Sequence, residues 1–147
     1  MDDIDAIESL WKEMAIFYQK IDSYFTINYE AEANHLAYMT GILTDDSKRI
    51  FVADDAGFIL GYMMTYVKAY PPIYMHKNCG YTGGISVTAS ASCKGIGKKL
   101  LCAGLEWFRK QGLQRVECGV AVENPLSQGF WKGVGFRGFM EKHVLEL

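Results

Sequence analysis

An apolar strand pattern, a glycine-containing turn and a helix pattern follow one another without a break over residues 85–101. Such a junction leaves free backbone N–H groups and the positive end of the helix dipole pointing at one spot. Gly95 and Gly97 let an anion approach the backbone closely, and neighbouring lysines add positive charge. The sequence therefore predicts a phosphate- or pyrophosphate-binding turn between a strand and a helix.

Two common phosphate-binding motifs do not fit this turn. A Walker A loop would need Gly at position 92 and Ser or Thr after a Gly-Lys pair, but the chain has Ser92 and Lys98-Lys99. A dinucleotide fingerprint would need Gly where Leu100 stands, together with an early strand and a later acidic residue. The turn by itself therefore does not identify which phosphate-containing ligand binds.

Hydrophobic periodicity predicts the order of the other elements. Helices are expected at about residues 3–19, 30–43, 98–111 and 125–134, the last with Asn124 as N-cap. Strands are expected at 49–54, 58–70, 81–88 and 115–122, with one or two more within 136–147. Three consecutive strands favour an antiparallel meander, and the strand–helix–strand order over 81–122 favours a parallel pair. The expected fold class is therefore mixed α/β.

Length and composition narrow the class of protein. The 147 residues predict one domain spanning residues 1–147, and 50% apolar residues exclude a disordered chain. A net charge of −2 argues against binding nucleic acid by phosphate neutralisation. No apolar run reaches the ~20 residues that span a membrane, and the first residues lack a basic, then apolar, secretory signal. We expect a cytoplasmic protein without nucleic-acid or membrane partners.

Cysteine and histidine spacing gives no sign of a metal site. The four cysteines are Cys79, Cys93, Cys102 and Cys118, and none forms a C-x-x-C pair. The three histidines are scattered singly. We therefore expect reduced thiols and no bound metal.

Residues 85–136 resemble the GNAT N-acetyltransferase superfamily. Its pyrophosphate loop, Gln/Arg-x-x-Gly-x-Gly/Ala, corresponds to Ser92-Cys93-Lys94-Gly95-Ile96-Gly97, with Ser92 departing from the pattern. Asn124 matches the family's Asn after the next strand. The segment Phe130-Trp131-Lys132-Gly133-Val134-Gly135-Phe136 matches the family's aromatic and Gly-Phe ending.

The resemblance implies a mixed, mostly antiparallel sheet of about six strands, splayed between the strands at 81–88 and 115–122. Met1 begins almost at the first helix, so the first strand of the family is apparently missing, and a homodimer partner would cover the edge left there. The implied cosubstrate is acetyl-CoA. The residues expected to bind it are Ile85, Val87, Ser92, Cys93, Lys94, Gly95, Ile96, Gly97, Lys98, Asn124 and Trp131.

The resemblance also implies direct attack of an amine on the thioester, without a covalent enzyme intermediate. The family's frequent acid, a Tyr, is Trp131 here, and its frequent base, a Glu, falls at Tyr81. Glu117 and Glu123 are the nearest alternative bases, so the catalytic candidates are Tyr81, Glu117 and Glu123. Cys93 is either a small loop residue or a thiol that forms a mixed disulfide with CoA.

Several functions are compatible with these residues. The leading one is acetyl transfer to a small-molecule or peptide amine, and a close alternative uses another acyl-CoA. A non-catalytic acyl-CoA sensor is favoured by the absence of the usual Tyr and Glu. A purely structural domain would use the glycines only for the turn. No motif specifies the acceptor amine.

Overall fold

The computed structural model describes residues 3–147, which contain four α-helices and four strands in the order α1-α2-β1-β2-β3-α3-β4-α4. The helices are α1 (Asp3–Gln19), α2 (Ala31–Leu43), α3 (Ile96–Lys110) and α4 (Pro125–Gly133). The strands are β1 (Lys48–Asp55), β2 (Phe58–Ala69), β3 (Asn78–Val87) and β4 (Val116–Cys118). Asn124 caps α4 and Pro125 is its first residue, as the sequence predicts.

The four strands form one sheet in the order β1-β2-β3-β4. β1 pairs antiparallel with β2 and β2 antiparallel with β3, whereas β4 runs parallel to β3 after the crossover through α3. The predicted meander and the predicted parallel pair are therefore confirmed.

The helices cover the two faces of this sheet, and the alternation of β2 supplies both cores. Tyr62 of β2 packs with α1 and α2, in a cluster that contains Ile7, Leu10, Met39 and Ile42. The next residue, Met63, points to the other face, where the cluster contains Leu100, Leu101 and Trp131 from α3 and α4.

The strand content at the C-terminal end differs from the prediction. Residues 136–147 contain no strand, and the predicted strand at 115–122 is reduced to the three residues of β4, so the described sheet has four strands rather than about six. The polar run Glu141-Lys142-His143 interrupts the pattern of apolar residues, and Phe139 and Val144 on either side of it are exposed. A three-residue β4 also offers too short an edge for further strands.

Two further points concern the first residues of the chain and the length of its helices. Met1 and Asp2 lie outside the described residues, and α1 is the first element after them, so the expectation of a missing first strand concerns a segment that the structure does not cover. No helix within residues 3–147 is long and apolar enough to cross a lipid bilayer.

Candidate active site

β4, at the edge of the sheet, parts from β3 midway along that strand. Their pairing ends at Thr82, opposite Cys118, and β3 continues beside β2 alone. Just past that point Gly83 is an extra residue, because Met64 and Thr65 of β2 pair with Gly84 and Thr82. Such a bulge bends the strand that carries it, and Gly84 adopts a φ of +142° that favours glycine. The two strands are therefore splayed, as the family resemblance implies.

The bulge also turns backbone groups of β3 toward the gap. The N–H of Gly80 bonds to Arg115 beside β4, whereas the N–H of Thr88 bonds to Leu60 of β2. Because backbone groups alternate along a strand, Ile85 and Val87 direct their N–H and C=O groups away from β2. Beyond Thr82 no β4 residue pairs with them. The two residues predicted to bind an extended ligand therefore present open backbone groups to the cleft.

Apolar side chains form the α3 side of this cleft. Ile85 and Val87 from β3 belong to one cluster with Cys118 and Val120 from the chain that leaves the sheet. Phe130 and Trp131 from α4 join the same cluster. A ligand that entered between the strands would contact apolar walls and the backbone of β3.

The turn before α3 has the geometry of an anion-binding loop. Cys93 and Gly95 both have positive φ angles, +61° and +80°, and residues 92–95 are exposed. The first bond of the helix runs from the N–H of Lys99 to Gly95, so the N–H groups of residues 96–98 have no intrahelical partner. Exposed Lys94 and Lys98 add positive charge. Ser92, Cys93, Lys94, Gly95, Ile96, Gly97 and Lys98 are thus together in one loop and first helical turn.

Gly97 brings α4 close to this loop. A Cβ atom at position 97 would stand 3.4 Å from the Phe130 ring and 3.7 Å from Ile85. A larger residue would therefore push α4 or β3 away from the first turn of α3.

Asn124 and Trp131 are buried around α4. The Asn124 side-chain oxygen accepts a hydrogen bond from the N–H of Ser127 at 3.0 Å, which caps the helix. The Trp131 indole packs edge-on against Phe130 and Phe136, with ring centroids 5.2 and 4.9 Å apart. Trp131 belongs to the apolar cluster that lines the cleft, and the contact of either residue with a cosubstrate stays a prediction.

Glu117 of β4 is the centre of a hydrogen-bonded cluster. Its Oε1 accepts hydrogen bonds from the Tyr70 hydroxyl and from Nε of Arg115, the latter at 3.0 Å, and its Oε2 lies 3.3 Å from Nζ of Lys68. Burial would raise the pKa of this carboxyl, but the three donors outweigh burial and hold the pKa of Glu117 below its usual range. Glu117 is therefore a firmly ionised carboxylate with its oxygens engaged, which suits a structural anchor better than a base.

Tyr81 stands directly opposite Glu117, one pair before the strands part. Its ring stacks on Tyr66 with centroids 5.0 Å apart, and its hydroxyl lies against Gly119 at the start of the cleft. Burial raises the pKa of Tyr81, so the hydroxyl keeps its proton at neutral pH. Glu123 is exposed on the loop before α4 and makes no hydrogen bond or ion pair with the described residues. The three catalytic candidates therefore occupy different environments, and only Tyr81 reaches the point where the strands separate.

Sequence reasoning missed Lys68, Tyr70 and Arg115, because nothing in their local pattern links them to Glu117. The adjacent glycines 83 and 84 were the one visible signal of the bulge. All four cysteines are free thiols, and residues 3–147 contain no group of three or more potential metal-ligating side chains.

Comparison with known proteins identifies the family to which the chain is related. The model of the acetyltransferase (GNAT) family matches residues 8–136. The mycothiol acetyltransferase of Renibacterium salmoninarum is 26% identical over 87 residues, 59% of this chain but 25% of that protein, so the chain spans about a quarter of the length of this relative.

Solved structures support the same fold. A mutant of the Bacillus halodurans protein BH1408 aligns with a TM-score of 0.87 at 16% identity, covering 97% of this chain and 92% of that one. A structure described as a predicted acetyltransferase with acetyl-CoA, from Clostridium acetobutylicum, aligns with a TM-score of 0.79 at 17% identity, covering 98% and 90%. At these identities the likeness shows the fold alone, whereas the family model spans most of the chain. The chain therefore belongs to the acetyltransferase (GNAT) family.

Proposed function

We propose that this protein is an acetyl-CoA-dependent N-acetyltransferase that acts on a primary amine of a small molecule or peptide by direct attack. The observation that carries the proposal is the cleft between β3 and β4, whose open backbone groups at Ile85 and Val87 lead up to the anion-binding loop. Family membership and the names of the relatives support the same chemistry.

The chain's own groups fit an acetyl-CoA molecule. The N–H groups of residues 93–98, with Lys94 and Lys98, would hold the pyrophosphate. Backbone groups of Ile85 and Val87 would pair with the amides of the pantetheine arm, while Asn124 and Trp131 support the facing wall. Acetyl-CoA supplies the activated thioester and a thiol leaving group.

Proton transfer is assigned from the environments of the three candidates. The Tyr81 hydroxyl, protonated and next to the cleft, is suited to donate a proton to the departing sulfur. Glu117 holds Tyr70, Lys68 and Arg115 in place and is not available as a base. Glu123, exposed and without a partner among the described residues, is the candidate to accept the proton of the amine.

A thermal melt followed by a turnover assay tests the proposal. A hundredfold excess of acetyl-CoA over its Kd should stabilise the fold by about 2.7 kcal/mol, or roughly 5 to 10 °C in Tm, with adenosine nucleotides as controls. Thiol release on addition of amines should follow.

The two readouts separate the alternatives. Stabilisation by acetyl-CoA without thiol release from any amine would favour the acyl-CoA sensor, and a stronger shift with another acyl-CoA would change the donor. The absence of both signals would overturn the proposal. The homodimer expected from the sequence stays a prediction, which light scattering tests.

A further inference from the structure

The cluster around Glu117 has unused hydrogen-bond donors but hardly any unused acceptors. Both Glu117 oxygens are engaged, by Tyr70 and Arg115 on one side and by Lys68 on the other. Lys68 has three N–H donors and directs one at Glu117, while Arg115 has five and uses Nε. The Lys68 and Arg115 side chains are 43% and 35% exposed. The cluster can therefore still donate hydrogen bonds to a ligand, through the free N–H groups of Lys68 and Arg115.

The charges in the cluster point the same way. Two cations, Lys68 and Arg115, face one carboxylate, Glu117, which is only 10% exposed. Arg115 also packs on an aromatic ring, with its guanidinium carbon 4.1 Å from the centroid of the Phe139 ring. An excess of positive charge on ordered side chains favours an anion, and an arginine fork matches a carboxylate in particular.

The cluster lies beside the end of the cleft at which the Tyr81 hydroxyl is proposed to meet the departing sulfur. Nζ of Lys68 is 5.4 Å from the centroid of the Tyr81 ring, and the hydroxyl at the other end of that ring touches Gly119. Tyr81 faces away from α3, because its neighbour Gly80 packs against Phe108 of that helix. The Lys68 ammonium therefore lies over the ring of the tyrosine whose hydroxyl reaches the start of the cleft, on the face of the sheet opposite α3.

We propose that Lys68 and Arg115 bind a carboxylate of the acceptor, so that the acceptor is an amine that also carries a carboxylate, as amino acids and short peptides do. This inference rests on the proposed function, since it concerns the acceptor side of the same site. Tyr66 and Tyr81 form the stacked aromatic surface between the carboxylate and the reacting amine.

Matched pairs of acceptors test the proposal. β-Alanine, γ-aminobutyrate and glycylphenylalanine are each compared with the corresponding amide, which removes the negative charge and hardly changes size or the amine. We expect at least one acid to exceed its amide about tenfold in kcat/KM, mainly through a lower KM. In Lys68→Met that ratio should fall below about threefold.

Lys110→Met is the control variant. Lys110 is also an exposed lysine paired with a glutamate, 2.9 Å from Glu106, but it lies on α3 on the other face of the sheet. Its substitution should leave the acid-to-amide ratio unchanged. If every amide matches or exceeds its acid while thiol release proceeds, the inference is wrong and the proposed function stands.

A binding measurement covers the case in which no member of the panel is acetylated. Thermal melts of the complex with CoA are then recorded with each acid and each amide. A shift with an acid, absent with its amide and lost in Lys68→Met, supports the inference. Equal shifts, or none, overturn it. Failure of acetyl-CoA itself to shift the melt would instead count against the proposed function.

Discussion

The hydroxyl of Tyr81 lies against Gly119, so closely that a Cβ atom at position 119 would stand 2.8 Å from it. Gly119 is the first residue after β4, and Tyr81 is one residue before the end of the β3–β4 pairing. The side chain therefore sits where the two strands separate, and any side chain at position 119 would have to displace the hydroxyl.

Gly119→Ala should displace the Tyr81 hydroxyl and lower the free energy of unfolding by about 1 kcal/mol, as modest overpacking does. In a Tyr81→Phe background the loss should be smaller, because the atom that clashes is gone. Urea unfolding of the two single variants and the double variant measures the coupling. Equal losses in both backgrounds would show that the contact has no energetic consequence.

Gly95→Ala should weaken acetyl-CoA binding, and Gly112→Ala should not. Both glycines have positive φ, +80° and +73°, and at neither would a Cβ meet another atom within 4 Å. Each substitution should therefore cost about 1 kcal/mol of backbone strain. Only residue 95 belongs to the anion-binding loop, so we expect an increase of about tenfold in Kd for Gly95→Ala alone. Calorimetric titration of both variants checks this, and equal affinities would refute the assignment of the loop.

Glu117→Gln should lower the free energy of unfolding at neutral pH. It should also make that free energy depend less on pH in the acidic range. The pKa of Glu117 is lowered on folding, because the donors outweigh burial. The stabilising contribution is therefore complete above the unfolded value of about 4.3 and is lost as the pH falls through the folded pKa. We expect a loss of about 2 kcal/mol at pH 7, typical of hydrogen bonds to a charged group.

Melts of wild type and Glu117→Gln from neutral pH to about pH 3 measure the difference. The gap between the two proteins should narrow as the pH falls. Glu106→Gln, at an exposed pair on α3, is the control and should change the profile little. A gap that stays constant with pH would contradict the prediction.

Glu8 of α1 and His35 of α2 form a largely buried pair, and replacing only one of the two should destabilise the fold. Glu8 Oε1 lies 2.5 Å from Nδ1 of His35, whose ring stacks on Trp11 at 4.1 Å and whose Nε2 has no partner among the described residues. Glu8→Leu would leave Nδ1 of His35 unpaired as well, at a cost of about 1 to 3 kcal/mol. The double variant with His35→Leu should cost less than the single one. Urea unfolding measures the free energy of unfolding of both variants. A double variant that is at least as unstable as the single variant would contradict this account.

Much of the fold could be predicted because it depends on local patterns. The helices, the meander, the parallel pair and the Asn124 cap follow from periodicity and capping chemistry, which act over a few residues. The strands expected within 136–147 were wrong, because strand formation needs a neighbouring edge and β4 provides only three residues. The pairing of β4 ends at Thr82, directly before the bulge at Gly83, and that bulge is a property of the paired sheet.

The sequence by itself determined the glycine turn that begins α3, since the conformation of Gly95 and the start of the helix are specified by backbone preferences of adjacent residues. Only the tertiary structure decided what Glu117 does. Its partners Lys68 and Tyr70 are 49 and 47 residues away in the chain, and strand pairing alone brings them within hydrogen-bond distance. The same pairing decided which backbone groups of β3 face the cleft, because one extra residue at the bulge reverses the alternation beyond it.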